Sequence, residues 1–171
     1  MNARMKSHCL LSVLMAALSL IPVGRATAQT FKVLHHFDDT TGAAPDGGAP
    51  GGGLVLSGNT LYGTAAYGGT SDDGSVFKVN TDGTGFATLY TFTGGSDGSG
   101  PGGLILSGNP LYGTAGGGPT SYDGSVFKVN TDGTGFATLY SFTGGSDGGD
   151  PVAGVILWFF WNYLGDFHWL V

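Results

Sequence analysis

The chain has 171 residues, 34 of them glycine, and its 12 acidic residues are all aspartate, which gives a formal net charge of −6. This composition favours turns and short strands over helices. The excess of negative charge argues against nucleic acid as a partner, because such proteins carry basic surfaces.

Residues 1–28 are predicted to be an export signal. Arg4 and Lys6 precede an apolar run from Cys9 to Val23, and the small residues at 26–28 form a cleavage site. The apolar run is shorter than the roughly 20 residues that cross a bilayer. Cleavage removes three of the six basic residues and no acid, so the mature net charge becomes −9. We therefore expect an exported protein that is secreted or held at the cell surface.

A repeat with a period of 50 residues organises the rest of the chain. Aromatic and β-branched runs recur in register between the glycines, which argues against low-complexity disorder. A period of this size is typical of solenoids and propellers, whose units are buried against their neighbours. We predict a repeat region over residues 29–156, with full units at 53–92 and 103–142, the last strand of a unit at 31–37 and the start of a further unit at 151–156.

Each full unit is predicted to contain four short strands, which in the first unit are residues 54–57, 60–65, 75–80 and 86–92. The third and fourth strands are apolar on both faces, as in sheets that are covered on both faces. We therefore predict an all-β fold, an incomplete β-propeller-like array of four-stranded units. Two units fall short of the roughly 4 to 8 blades of a closed ring, so we expect a fragment of a longer array that self-associates.

Two long motifs carry a family resemblance. GLVLSGNTLYGTA and GSVFKVNTDGTGFATLYTF each occur twice with few changes, and residues 97–101 form a DG-x-x-P link between units. Over residues 31–156 the chain resembles the choice-of-anchor tandem repeat of GloVer (Gloeo-Verruco) proteins, which are exported bacterial proteins. The resemblance implies a secreted or surface-held array of propeller-like units, with no established activity and no assigned catalytic residues.

Two motifs could indicate chemistry. Residues 94–98 and 144–148 have the form Gly-x-Ser-x-Gly, which surrounds the nucleophile of many hydrolases. No helical period follows either copy, and the only later histidine, His168, lies outside the repeat, so we interpret both copies as turns. His35 and His36 are neighbours on a predicted strand and should point to opposite faces, which argues against a shared metal site.

Asp82 and Asp132 are the candidate calcium ligands. They lie in the repeated Asn-Thr-Asp-Gly segments at 80–83 and 130–133, which resemble parts of calcium loops. The segment is short, and a lysine occupies the first ligand position. Asp and Asn also favour tight turns for local reasons, which is the interpretation we prefer. No catalytic residue and no cofactor are predicted.

The sequence thus predicts a non-catalytic, exported repeat protein that serves as an interaction or structural module at the cell surface. Its partner would be a surface protein or a polysaccharide. The alternative is an enzyme or carbohydrate-binding propeller whose functional residues lie on further blades. A cluster of different acidic, histidine or exposed aromatic residues in the loops at one end would favour that alternative. Both copies instead carry nearly the same loops.

Residues 157–171 break the repeat and contain all three tryptophans. They could be a membrane anchor, a hydrophobic interface or an out-of-frame translation of the next repeat. Tryptophan has one codon, TGG, so reading one base later places glycine at 158, 161 and 169, and the shifted string can resemble residues 56–64. We hypothesise a frameshift. The shifted frame should run on into Gly-Ser-Val-Phe-Lys, whereas an early stop codon without a repeat motif would favour the interface.

Overall fold

The computed structural model describes residues 30–37, 46–117, 123–151 and 153–156. The chain divides into residues 1–32, of which only the last three are described, and residues 33–171, which hold every strand given below. The predicted signal at 1–28 and the tail at 157–171 lie outside the described residues. Among the described residues, no helix is long and apolar enough to span a membrane.

The described residues form two antiparallel sheets and no helix, which confirms the predicted all-β class. The first sheet contains β1 (Gly48–Pro50), β2 (Val55–Ser57), β3 (Thr60–Tyr67), β4 (Ser75–Asn80) and β5 (Ala87–Thr91). The second sheet contains β6 (Ser99–Leu106), β7 (Pro110–Gly116), β8 (Ser125–Asn130) and β9 (Ala137–Ser141), which pair in chain order. Neither sheet closes on itself.

The last three strands of the two sheets have the same register. In the first sheet Thr60 pairs with Asn80, and in the second sheet Pro110 pairs with Asn130. An irregularity in the pairing with the last strand follows Val76 in one sheet and the equivalent Val126 in the other. The repeat in sequence is therefore also a repeat in hydrogen bonding.

The first strand of each sheet differs from the prediction. The predicted units begin after the Pro-Gly link, but the sheets begin before it, at Gly48 and Ser99. In the first sheet β1 and β2 both pair with β3 and together replace one continuous strand. Three glycines at 51–53 follow Pro50, whereas two follow Pro101. Glycine weakens a strand, and the extra residue shifts the register, so the first sheet has five strands and not the predicted four.

The hydrophobic core lies between the two sheets. It is built from side chains of both, namely Tyr62, Val76 and Phe92 with Leu104, Leu111, Ala115, Phe127 and Val129. Burial of a large apolar side chain stabilises the fold by about 1.5–3 kcal/mol. Thr64 Oγ1 adds a polar contact by donating to the Gly102 carbonyl at 2.8 Å. Thr114 Oγ1 donates in the same way to the Ala153 carbonyl at 3.0 Å, which attaches residues 153–156 to the second sheet.

Residues 33–37, termed the N-terminal segment, pack on the first sheet as β5 packs on the second. The ring of His35 stacks on that of Phe86 with 3.5 Å between ring centroids, and the ring centroids of Phe37 and Phe77 lie 4.9 Å apart. The segment is not a strand, so the prediction of a last strand at 31–37 is wrong. A strand at 31–37 would have to pair with the third strand of a preceding unit. No such strand lies beside the segment among the described residues.

Gly74 is expected to tolerate no side chain. Its φ is +96°, and an added Cβ would lie 2.5 Å from Pro101 Cδ and 2.6 Å from the Ala65 carbonyl oxygen. Gly74→Ala should therefore lower the free energy of unfolding by about 2–4 kcal/mol, through backbone strain and overpacking together.

Gly58 supplies the matched control for this substitution. Its φ is +58°, and an added Cβ would meet nothing within 4 Å. Gly58→Ala should cost only the left-handed backbone strain, about 1–2 kcal/mol. Urea unfolding followed by circular dichroism measures both variants. Equal costs would mean that the chain around Pro101 is not fixed against the β3–β4 loop.

Candidate functional site

A cluster of hydrogen bonds centred on an aspartate recurs after the last strand of each sheet. Asp97 accepts from the backbone N–H and Oγ1 of Thr93, at 2.8 and 2.6 Å, and from the Tyr90 hydroxyl at 3.0 Å. Asp147 accepts the equivalent bonds from Thr143 and Tyr140, at 3.1, 2.6 and 2.9 Å. We call each set of three residues an aspartate clasp.

The clasp explains the Gly-x-Ser-x-Gly pattern of residues 94–98. Gly94 donates its N–H to the Gly98 carbonyl at 3.1 Å, and Gly98 donates to the Gly95 carbonyl at 3.2 Å. These bonds close a turn around Asp97, and no helix follows it in the described chain. The carbonyl of Ser96 accepts from Thr138 Oγ1 at 3.1 Å, which ties the turn to β9. The segment is the turn that the sequence indicated.

Opposing effects set the pKa of Asp97. Burial raises it, but the hydrogen bonds from Thr93 and Tyr90 together outweigh burial and lower the pKa below its usual 3.8. Burial, followed by the bond to Asp97, raises the pKa of Tyr90 to about 12. At neutral pH the clasp therefore joins an ionised acceptor to a neutral donor. A general acid or base needs a pKa near the working pH, which neither group has.

A third version of this pairing involves the N-terminal segment. His35 occupies the place of Tyr90, and its Nε2 lies 3.0 Å from Oδ2 of Asp46. The other carboxylate oxygen of Asp46 is buried and has no hydrogen-bond partner among the described residues. His36 is exposed, so the two histidines are not brought together.

The candidate calcium ligands lie in local turns. Asp82 Oδ1 accepts from the backbone N–H and the hydroxyl of Thr84, at 2.9 and 2.7 Å. Asp132 makes the same two bonds with Thr134, at 2.9 and 2.7 Å. The bonds from Thr134 lower the pKa of Asp132 below its usual value. Over the described ranges, no group of three or more acidic, histidine or cysteine side chains is placed to hold a metal ion.

Calcium is expected to matter little for stability. Addition of EDTA should shift the melting temperature by less than a few degrees, because the turns around Asp82 and Asp132 are held by protein groups. A ligand that binds only the folded state must stabilise it. A larger decrease, reversed by added calcium and absent in the double variant Asp82→Asn/Asp132→Asn, would instead identify these turns as metal sites. Differential scanning fluorimetry measures the shift.

Equivalent residues differ in exposure between the two sheets. Leu139 and Tyr140 on the second sheet are 49% and 46% exposed. Their counterparts on the first sheet are partly buried, because the ring of Tyr90 stacks on Phe136 at 3.8 Å. We call the exposed surface of Leu139, Tyr140 and Phe142 the downstream face.

The first sheet has an uncovered area on its opposite side. Leu54 and Leu56 are 54% and 59% exposed, whereas Leu104, the counterpart of Leu54, is buried in the core. Beside them lie Phe77 and Phe86, which the N-terminal segment covers. We call this side of the first sheet the upstream face. The described part of the chain thus contains one contact between two sheets and, on either side of it, one sheet face that no other sheet covers.

A family model described as the Gloeobacter/Verrucomicrobia repeat matches residues 23–159, which is most of the chain. The matched region contains both sheets and both aspartate clasps. None of the curated proteins matches the chain.

Proposed function

The chain belongs to the Gloeobacter/Verrucomicrobia repeat family, and from this premise we propose that it is an exported, non-catalytic module for interaction or structure at the cell surface. Its sheets are consecutive blades of a propeller-like array, in which each blade covers its neighbours. One observation carries this proposal: the same ring stacking occurs twice, once between the two sheets and once between the N-terminal segment and the first sheet. Tyr90 stacks on Phe136 as His35 stacks on Phe86.

The use of the repeated aspartates supports a non-catalytic role. Asp97 and Asp147 accept the hydrogen bonds of the clasps, while Asp82 and Asp132 accept those of the turns. For three of them, Asp97, Asp132 and Asp147, hydrogen bonding lowers the pKa below the usual value. Carboxylates of this kind stabilise turns and are poor proton donors at neutral pH.

The negative charge limits the partners. The net charge, −6 for the full chain and −9 after cleavage of the predicted signal, repels polyanions, so we propose a surface protein or an uncharged polysaccharide as the partner. Pull-down by isolated cell-wall polysaccharide and by surface proteins distinguishes the two. Hydrolysis of glycoside or ester substrates by the purified chain would contradict the non-catalytic role.

Export is tested by expressing the full chain with a C-terminal tag in a bacterial host. We expect processing between Ala28 and Gln29, shown by N-terminal sequencing, and cleavage of the tag by protease added to intact cells. The matched control is Arg4→Glu/Lys6→Glu, which reverses the charge before the apolar run and should block processing. An unprocessed wild-type chain confined to the cytosol would contradict the proposal.

A further inference from the structure

We propose that the downstream face binds the upstream face of a second copy of this chain, head to tail. In this arrangement β9 of one copy takes the place of the N-terminal segment of the next. The inference rests on the proposed array, since it extends to two chains the contact that joins the two sheets of one chain.

The downstream face has the same chemistry as a surface that is already covered within the chain. Residues 87–92 and 137–142 differ only in Ser141, which replaces Thr91. The first of these stretches places Tyr90 and Phe92 against the second sheet. In the second stretch Leu139 and Tyr140 are about half exposed, although the sequence is nearly the same. An apolar surface that is covered in one copy and open in the other lacks, over the described ranges, the neighbour that covers its counterpart.

The surface that receives β5 is also present twice. Residues 75–86 and 125–136 are identical in sequence, and their strands have the same register. Gly133 is essential to this surface, because a Cβ there would lie 2.6 Å from the Leu89 carbonyl oxygen. Gly83 is its counterpart, with the Leu34 carbonyl oxygen at 3.1 Å. Each chain therefore carries both halves of a heterologous, head-to-tail contact.

The N-terminal segment acts as a cap on the upstream face. It covers Phe77 and Phe86 through Phe37 and His35, but it is not a strand. Holding such a segment in place costs about 1–2 kcal/mol of backbone entropy per residue. β9 is already ordered by its pairing with β8 and incurs less of this cost. β9 of a second copy therefore loses less conformational entropy than the N-terminal segment does when it occupies the upstream face.

The second sheet carries a smaller cap. Residues 153–156 attach to its β7 strand through the bond from Thr114 Oγ1 to the Ala153 carbonyl. The equivalent bond on the first sheet goes from Thr64 to Gly102, just after Pro101. In a second copy the glycines at 51–53 follow Pro50 in the same way and can replace residues 153–156. A head-to-tail contact repeated from copy to copy gives a ring when its rotation divides a full turn, and an open filament otherwise. In a closed ring, two to four chains would supply the roughly 4 to 8 blades of a propeller.

The test removes the cap from the full chain with His35→Ala/Phe37→Ala. Light scattering behind gel filtration should show a rise to roughly two to four times the mass of one chain. Addition of Tyr140→Asp should restore the mass of one chain, because it places a charge on the downstream face. Ser71→Asp, in the exposed β3–β4 loop, is the matched control and should leave the oligomer intact.

Two results would overturn the proposal: a cap variant that stays at the mass of one chain with unchanged circular dichroism, or an oligomer that survives Tyr140→Asp. If the cap variant does not fold, the unaltered chain serves instead. The average mass measured by light scattering should rise with the concentration of the unaltered chain, and Tyr140→Asp should abolish that rise. A mass that does not change with concentration, or a rise that persists in the variant, would reject the head-to-tail contact. The array itself is tested separately, by the unfolding of Phe92 and Phe142 variants, which requires no second copy.

Discussion

Phe92→Ala is expected to lower the free energy of unfolding by about 3–5 kcal/mol, and Phe142→Ala by clearly less. The two residues hold the same position in the repeat, directly after the last strand of a sheet. Phe92 is fully buried, with its ring 5.1 Å from Phe127 and 5.8 Å from Phe136. Phe142 is only half-buried, because no following sheet covers it among the described residues. The difference between the variants measures the contact between neighbouring sheets.

Urea unfolding of the full chain, followed by circular dichroism, gives both values. Each variant loses the same atoms from the same local sequence, so differences in residue type and helix or strand propensity cancel. The urea midpoint should therefore fall less for Phe142→Ala than for Phe92→Ala, with similar slopes in both variants. Equal costs at the two positions would contradict stacking of the sheets as blades.

The central strands were predictable from sequence because the strand propensity of their residues and the residues that flank them indicate the same bounds. The predicted strand at 75–80 coincides with β4, where Val76, Phe77 and Val79 favour strand and Gly74 precedes them. The predicted strand at 86–92 differs from β5 by one residue at each end. In these segments local propensity and tertiary packing favour the same structure.

The first strand could not be predicted in the same way. β6 includes Pro101 and three glycines, residues that disfavour strands. They pair because β7 presents a fixed row of hydrogen-bonding groups beside them, with Pro101 opposite Ala115 and Ser99 opposite Gly116. Propensity scales contain no information about that neighbouring strand. The first strand of the unit was therefore predicted to begin later in the chain than it does.

The aspartate clasp corresponds to a sequence pattern that differs from the motifs considered above. Tyr90 and Asp97 recur as Tyr140 and Asp147 at the same spacing. A recurring tyrosine and aspartate flanking a turn indicates a hydrogen bond that both copies need. The third version, His35 with Asp46, has a different residue and a longer spacing, and only the structure brings these two together.

Asp97→Asn is expected to lower the free energy of unfolding by about 2–4 kcal/mol, because it removes a buried charge that accepts three hydrogen bonds. The amide keeps one acceptor but turns an N–H₂ group toward donors of Thr93 or Tyr90. Asp147→Asn is the matched control, since it alters an identical clasp that is more exposed. Its cost should be smaller, because water replaces lost hydrogen bonds at an exposed site.

The same clasp should give the stability a characteristic dependence on pH. The folded pKa of Asp97 lies below the usual 3.8, so its stabilisation is complete above that pH and is lost as the pH falls through the lower folded value. The folded pKa of Tyr90 is about 12 against a usual 10.0, so its stabilisation is complete below pH 10 and is lost as the pH rises toward 12. Urea midpoints measured across pH should therefore fall at both ends. Asp97→Asn should flatten the acid side and Tyr90→Phe the alkaline side, and unchanged slopes in both variants would show that the clasp does not hold the turn.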